Sequence, residues 1–191
     1  MLECMKRPPE TLTPAEVEAI VAEVATKPRT GKRDATMVVV LYCCGLRAKE
    51  ACDLDIRDFD PKQKTLHVRH GKGDRARKVG IEPLAMKHLT EWIEKRGSHR
   101  GPLFPSRSGR TVSPCYFRKL LPEVAVQVGI EKRVHAHGFR HTCAAEMANE
   151  GVPIHLIRDV LGHTNVSTTD TYLRQVNPKQ VLDAMRARRA G

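Results

Sequence analysis

The chain has 191 residues, with 33 Lys and Arg against 22 Asp and Glu, a formal net charge of +11 and a pI near 9.7. Hydrophobic residues make up 40% and charged residues 29%, which excludes a disordered chain and suits one globular domain with a core large enough to need no disulfide staples. The longest apolar run, Met37–Cys44, is far short of the roughly 18 residues a membrane helix requires, and no charged segment followed by an apolar stretch opens the chain, so neither a span nor a secretory signal is expected.

Residues 1–12 carry adjacent prolines and no apolar period, and read as a tether. Thr13-Pro14-Ala15-Glu16 has the form of a capping box with proline at the first helical position. Val17, Ile20, Val21 and Val24 then mark one face of a helix. Lys27–Arg33 reads as a basic loop. Asp34 is placed to cap a second helix, Ala35–Cys44, apolar on nearly all sides and therefore buried, with Gly45 as its stop. A short third helix is expected within Leu46–Leu54.

The period then changes. Asp60-Pro61-Lys62-Gln63 is a turn, Thr65–Arg69 alternates as a strand, Gly71–Arg75 turns again, and Arg77–Ile81 is a second strand. Together they predict an antiparallel hairpin with a basic tip. Helical spacing returns over Pro83–Arg96, Gly101–Thr111 is a loop, and Ser113-Pro114 opens another helix. Further helices are expected near 123–129, 138–150, 153–161 and 166–174, with a last amphipathic one at 178–189 carrying Val181, Leu182 and Met185. The expected fold is mainly α with a small antiparallel β-sheet (α+β), one domain over residues 13–191.

Charge points to a polyanion. Residues 95–119 hold Lys95, Arg96, Arg100, Arg107, Arg110, Arg118 and Lys119 with no acidic residue, and residues 69–78 hold five basic residues against Asp74. Such blocks repel themselves unless phosphates lie nearby. With one Trp, three Tyr and four Phe, the chain lacks stacking platforms for single strands, so duplex backbone contact fits better. Arg75, Arg77, Lys78, Arg118 and Lys119 are the candidate DNA-binding residues. Six cysteines without a CxxC pair, two of them adjacent at Cys43 and Cys44, fit free thiols in a reducing cytosol better than a disulfide or zinc framework.

Five places hold polar residues that a plain fold would not need: Arg47 and Glu50 after the buried helix, Lys72 between two glycines, His137-Gly138-Phe139-Arg140-His141, Leu161-Gly162-His163, and Tyr172 among hydroxyl residues. Each has a plainer reading alone. Lys72 resembles a surface lysine, His163 a helix-end residue, Tyr172 a half-buried packing residue, and Glu50 a partner for Lys49 or Arg47. His137 and His141 have zinc-ligand spacing, but Gly138 stands where a metalloprotease has its glutamate. As a set, two arginines, a lysine, two histidines and a tyrosine suit metal-free attack on a phosphodiester. Arginines stabilise the extra negative charge of the transition state. A phenol of pKa about 10 needs a base or a positive field to attack. A poor alkoxide leaving group needs a proton, which a lysine can deliver.

These segments, in this order and spacing, resemble the tyrosine recombinase (phage integrase) family from about Thr11 onward. The resemblance implies that Arg47 and Arg140 clamp the scissile phosphate and that Tyr172 attacks it to give a 3′-phosphotyrosine. Lys72 would be the general acid, His137 would help move the proton, His163 would hydrogen-bond the phosphate, and Glu50 would orient its neighbours. It implies no cofactor and no metal, a double-stranded DNA substrate, a tetramer on DNA with accessory DNA-bending proteins, and a cytoplasmic, nucleoid-associated protein. The family's usual N-terminal core-binding domain has no counterpart in these residues, which fits either an excised piece or a minimal enzyme. The tail helix would dock on a neighbouring subunit or pack in cis. Two alternatives share parts of this pattern: a type IB topoisomerase-like relaxing enzyme, and a DNA-binding protein of the same fold without chemistry.

Overall fold

A computed structural model describes residues 10–69 and 76–162 of the chain. The expected hairpin tip at 71–75, the tether up to residue 9 and the helices at 166–174 and 178–189 lie outside the described residues.

The first helix, α1 (Pro14–Ala25), forms as its capping box predicts. The Thr13 hydroxyl accepts the Glu16 backbone N–H at 3.2 Å, and Glu16 Oε2 accepts that of Thr13 at 2.7 Å. Val17, Ile20 and Val24 are its buried face. Leu12, in the segment read as a tether, is buried, and its N–H donates to Thr142 Oγ1 at 3.0 Å. The packed unit therefore starts slightly earlier than the sequence suggested.

The second helix, α2 (Gly31–Cys43), is the centre of the fold and touches α1 and three later helices. Its residues from Arg33 to Leu41 are all buried. It begins ahead of the expected Asp34 cap. Asp34 instead lies inside the first turn, where it accepts from Arg33 Nε and from the Tyr116 hydroxyl. A carboxylate buried this deeply has to be paired, and these two donors supply its partners.

After α3 (Ala48–Asp53) and a 3-10 turn (Ile56–Asp58), three short strands form an antiparallel sheet in the order β1 (Phe59–Asp60), β2 (Thr65–Val68) and β3 (Arg77–Gly80). The register pairs Leu66 with Val79 and Val68 with Arg77, so alternation turns Leu66, Val68 and Val79 into the core. The sequence did not reveal β1, because two residues are too few to show an alternating pattern.

Helix α4 (Pro83–Arg96) has the expected bounds, and its Trp92 indole N–H donates to the Leu103 carbonyl at 2.8 Å. Helix α5 (Pro114–Gln127) is continuous where two helices were expected. Pro122 sits inside it on the exposed side, where water can take up the carbonyl left without a donor. Helices α6 (Ala136–Asn149) and α7 (Ile154–Leu161) close the unit. A small cluster of Ala144, Ile157 and Leu161 packs them together. No helix among the described residues is long and apolar enough to cross a membrane.

Candidate active site

Four chain segments meet around Glu50. Gly45 turns the chain sharply after α2, with φ at +58°, a region that favours glycine. A Cβ there would come within 2.7 Å of Leu161 Cδ2, so this turn presses directly on the end of α7. Arg47 then stands at the N-cap of α3 in an extended conformation. Its own N–H donates to Glu50 Oε2 at 2.9 Å, and its Nη1 to Glu50 Oε1 at 2.8 Å. Helical geometry brings residue i+3 back over the helix start, so Glu50 reaches both groups without strain.

Arg140 enters from the first turns of α6 and has no exposed surface. Its Nη1 donates to the Gly45 carbonyl at 2.7 Å, and its Nη2 to the Leu161 carbonyl. Nη1 also lies 3.9 Å from Glu50 Oε2. Arg47 Nη2 donates to the Gly162 carbonyl at 3.3 Å. The two arginines singled out in the sequence are thus brought together, tied to the same carboxylate and to adjacent carbonyls at the end of α7.

A third guanidinium completes the cluster. Arg77, expected as a DNA contact on the hairpin, donates from Nη1 and Nη2 to the two Glu50 oxygens at 3.0 and 2.9 Å, and from Nε to the Val160 carbonyl at 2.8 Å. The basic run around the hairpin concealed this role. The usable signal was alternation, which places Arg77 on the same face of β3 as the buried Val79.

Three guanidinium groups around one carboxylate leave positive charge in excess. Burial works against ionising Glu50, but the hydrogen bonds from Arg77 and Arg47 outweigh it and hold its pKa below the ordinary value. The carboxylate therefore stays charged at neutral pH.

His137 lies one turn before Arg140 on α6 and stays open to solvent. Even so, the protein packed around it strips enough water to lower its pKa, and the positive charges of Arg140, His135 and Arg47 act in the same direction. Neutral imidazole is the form that can accept a proton. Its ring meets that of His141 edge-on, with centroids 4.2 Å apart. Among the described residues, no three His, Cys, Asp or Glu side chains gather as a metal site.

Of the other candidates, Lys78, Arg118 and Lys119 are exposed, Lys78 reaching Gln63 Oε1 and Arg118 reaching Cys115. Tyr42 and Tyr116 both bury their rings in part and donate their hydroxyls inward, to Glu146 and Asp34. Lys72, Arg75, His163 and Tyr172 lie outside the described residues.

The family model described as "Phage integrase family" matches residues 10–178. A tyrosine recombinase of Pseudothermotoga lettingae is 32% identical over 92% of this chain and 59% of its own length. Tyrosine recombinase XerA of Pyrococcus furiosus is 31% identical over 93% of this chain and 61% of its own. The chain thus spans about three fifths of the length of these relatives.

Among solved structures, a XerA recombinase superposes with a TM-score of 0.81 at 27% identity, covering 97% of this chain and 67% of that one. At 20% identity, the fold is shared by the Tn1549 transposon integrase in complex with transposon right end DNA (TM-score 0.81, 99% of this chain, 69% of that one). It is shared, also at 20% identity, by the catalytic domain of bacteriophage HP1 integrase (TM-score 0.67, 94% and 95%). The match over nearly the whole length of a catalytic domain agrees with the helix order and small sheet found here. With its arginines gathered on Glu50 and a family match running from residue 10 to residue 178, the chain belongs to the phage integrase family of tyrosine recombinases.

Proposed function

We propose that this chain cleaves and rejoins duplex DNA at specific sites through a covalent 3′-phosphotyrosine at Tyr172. The observation that carries this reading is the convergence of Arg47 and Arg140, from helices far apart in sequence, on one buried carboxylate. An arginine pair held this way has little rotamer freedom left to lose when it binds a phosphate.

In the proposed step the Tyr172 oxygen forms a bond to phosphorus and the bond to the 5′ oxygen breaks. Lys72 gives that oxygen its proton, and His137 takes part in moving the tyrosine proton. Arg47, Arg140 and His163 stabilise the charge that builds on the non-bridging oxygens. The phosphotyrosine keeps the energy of the broken bond, so a 5′-hydroxyl from another strand reverses the step. Glu50 touches no reacting atom in this scheme and acts by holding Arg47. Arg140 has no exposed surface, so a phosphate meets it only after neighbouring groups shift.

The partner is double-stranded DNA. Arg75, Lys78, Arg118 and Lys119 supply sequence-independent backbone contacts, and the solved relative bound to transposon DNA supports this partner class. The family relationship further supports a tetramer on two duplexes, aided by accessory DNA-bending proteins, and action on DNA in the cytoplasm and nucleoid. The catalytic unit runs from about Leu12 onward, and residues 178–189 form its tail, which docks on a neighbouring subunit or packs in cis.

Nicked duplexes that trap the cleaved strand test the reading. A covalent adduct that disappears in Tyr172→Phe is the expected result. Failure to form an adduct with any duplex, despite binding, would favour a non-catalytic DNA-binding protein. Strand exchange between two duplexes, against relaxation of a supercoil, separates a recombinase from a topoisomerase-like enzyme.

A further inference from the structure

Arg77 begins β3 and follows Lys72 closely in sequence. Its side chain is 11% exposed and its donors are turned inward. Two of them form a parallel fork on Glu50, at 3.0 and 2.9 Å. The third, Nε, holds the Val160 carbonyl at 2.8 Å, in the last turn of α7. Gly162 lies against the same guanidinium: a Cβ on it would sit 3.0 Å from Arg77 Nη1. Gly162 has φ at +62° and directly precedes His163 in sequence.

We propose that Arg77 is a positioning residue of the strand-cleavage site and not a DNA contact. The inference rests on the function proposed above. Its fork fixes the plane of the Glu50 carboxylate, which leaves Oε1 facing Arg47 Nη1 and Oε2 facing the Arg47 N–H. Its Nε fixes the end of α7, whose Gly162 carbonyl also receives Arg47 Nη2. Arg77 therefore determines where Arg47 stands through two independent routes, and it joins β3 to the last turn of α7. A lysine cannot replace it: one ammonium supplies a point charge, not a rigid fork with a third donor at right distance.

Two readouts on the full chain test this with Arg77→Met and Arg77→Lys. The first is hydrogen exchange of the Arg47 side-chain N–H groups by NMR. It is expected to rise at least about tenfold in Arg77→Met as the lattice around Glu50 loosens. The second is single-turnover adduct formation on the nicked duplex that yields most adduct with the parent chain, selected beforehand from a random-sequence pool. The rate at saturating DNA is expected to fall about 100-fold, with DNA affinity within about threefold of the parent, since only one charge among many is lost. Arg77→Lys is expected to keep the affinity without recovering the rate.

Unchanged Arg47 exchange in Arg77→Met overturns the proposal. So does a loss confined to DNA affinity, which would make Arg77 a phosphate contact, or a full rate in Arg77→Lys, which would mean that charge alone suffices. If the parent chain binds DNA but forms no adduct, the strand-cleavage reading fails, and Arg47 exchange alone decides whether Arg77 positions that side chain. If Arg77→Met does not fold, Arg77→Lys carries both readouts, because it keeps a positive charge beside Glu50.

Discussion

Arg140 Nη1 donates to the Gly45 carbonyl at 2.7 Å, joining the start of α6 to the turn after α2 across 95 positions of chain. The bond makes the backbone of one motif the anchor for the side chain of another. Gly45 can offer that carbonyl because it adopts φ of +58° while lying against Leu161 and Cys143. Gly45→Ala should therefore cost about 2–4 kcal/mol, combining left-handed strain with overpacking at a contact of 2.7 Å. Urea unfolding measures the loss. An undiminished midpoint would show that the turn tolerates a side chain.

Arg140→Ala removes a cation from a fully buried site and leaves the Gly45 and Leu161 carbonyls without their donor. A loss of about 1–3 kcal/mol for each carbonyl is expected. Covalent adduct should vanish while most duplex affinity remains, because many surface cations are untouched. Arg140→Lys should fold better than the alanine variant but cleave poorly, since one ammonium cannot span two carbonyls on separate segments. Normal cleavage by Arg140→Ala would remove Arg140 from the phosphate clamp.

The histidines set a pH window for stability. His137, His135 and His88 all have pKa values below the ordinary 6.5, each chiefly because surrounding protein removes water from the ring. The unfolded chain thus takes up protons first as the pH drops. Stability should be full above about pH 7 and fall as the pH passes through 6.5 toward the lowered folded values. Glu50, held below its ordinary value of 4.5, adds its own loss only in more acid solution. Melting temperatures across this range should fall less steeply in a variant carrying Gln at positions 88, 135 and 137. An equal slope would show that other groups govern the transition.

Much of this architecture was legible because local rules and packing agreed. The Thr13–Glu16 box, the continuous apolar run of α2 and the bounds of α4 are each set by residues close in sequence. The arginine pair and Glu50 were legible as a chemical set, though no spacing rule shows them meeting. What escaped the sequence depended on distant partners. Asp34 has the chemistry of a cap, and one of the two partners that satisfy it in the interior, Tyr116, arrives from the distant α5. Arg77 sits in a run of basic residues that suggests solvent and DNA, and its true partners, Glu50 and Val160, lie on other segments.

The thiols should differ sharply in reactivity. Burial pushes Cys52 and Cys143 up to about 12 and raises Cys43 and Cys44 further still. Cys115 is exposed, and the contact with Arg118 lowers its pKa. Only the thiolate reacts with alkylating reagents. Iodoacetamide at neutral pH should therefore label Cys115 first among the described cysteines, with the other four protected until the chain unfolds. Peptide mapping after partial labelling checks the order, and early labelling of Cys143 would contradict the packing of α6 on the turn after α2.

Tyr116 offers a separation between packing and DNA contact. It lies in a helix that also carries Arg118 and Lys119, where a hydroxyl can serve either a protein partner or a phosphate. In the structure its hydroxyl donates to Asp34 Oδ2 at 2.6 Å, while Arg33 Nε donates to Oδ1 at 2.8 Å and the Arg33 guanidinium lies 5.4 Å from the tyrosine ring centroid. The three side chains form one unit that satisfies a fully buried carboxylate. Tyr116→Phe keeps the ring but removes one donor to Asp34, so a loss of about 1–3 kcal/mol is expected. Asp34→Ala should cost more, because it leaves the buried Arg33 charge uncompensated. Neither change takes a cation from the surface, so the salt dependence of duplex binding should keep its slope in both variants. A shallower slope in Tyr116→Phe, with stability unchanged, would mean that the hydroxyl serves a phosphate and not Asp34.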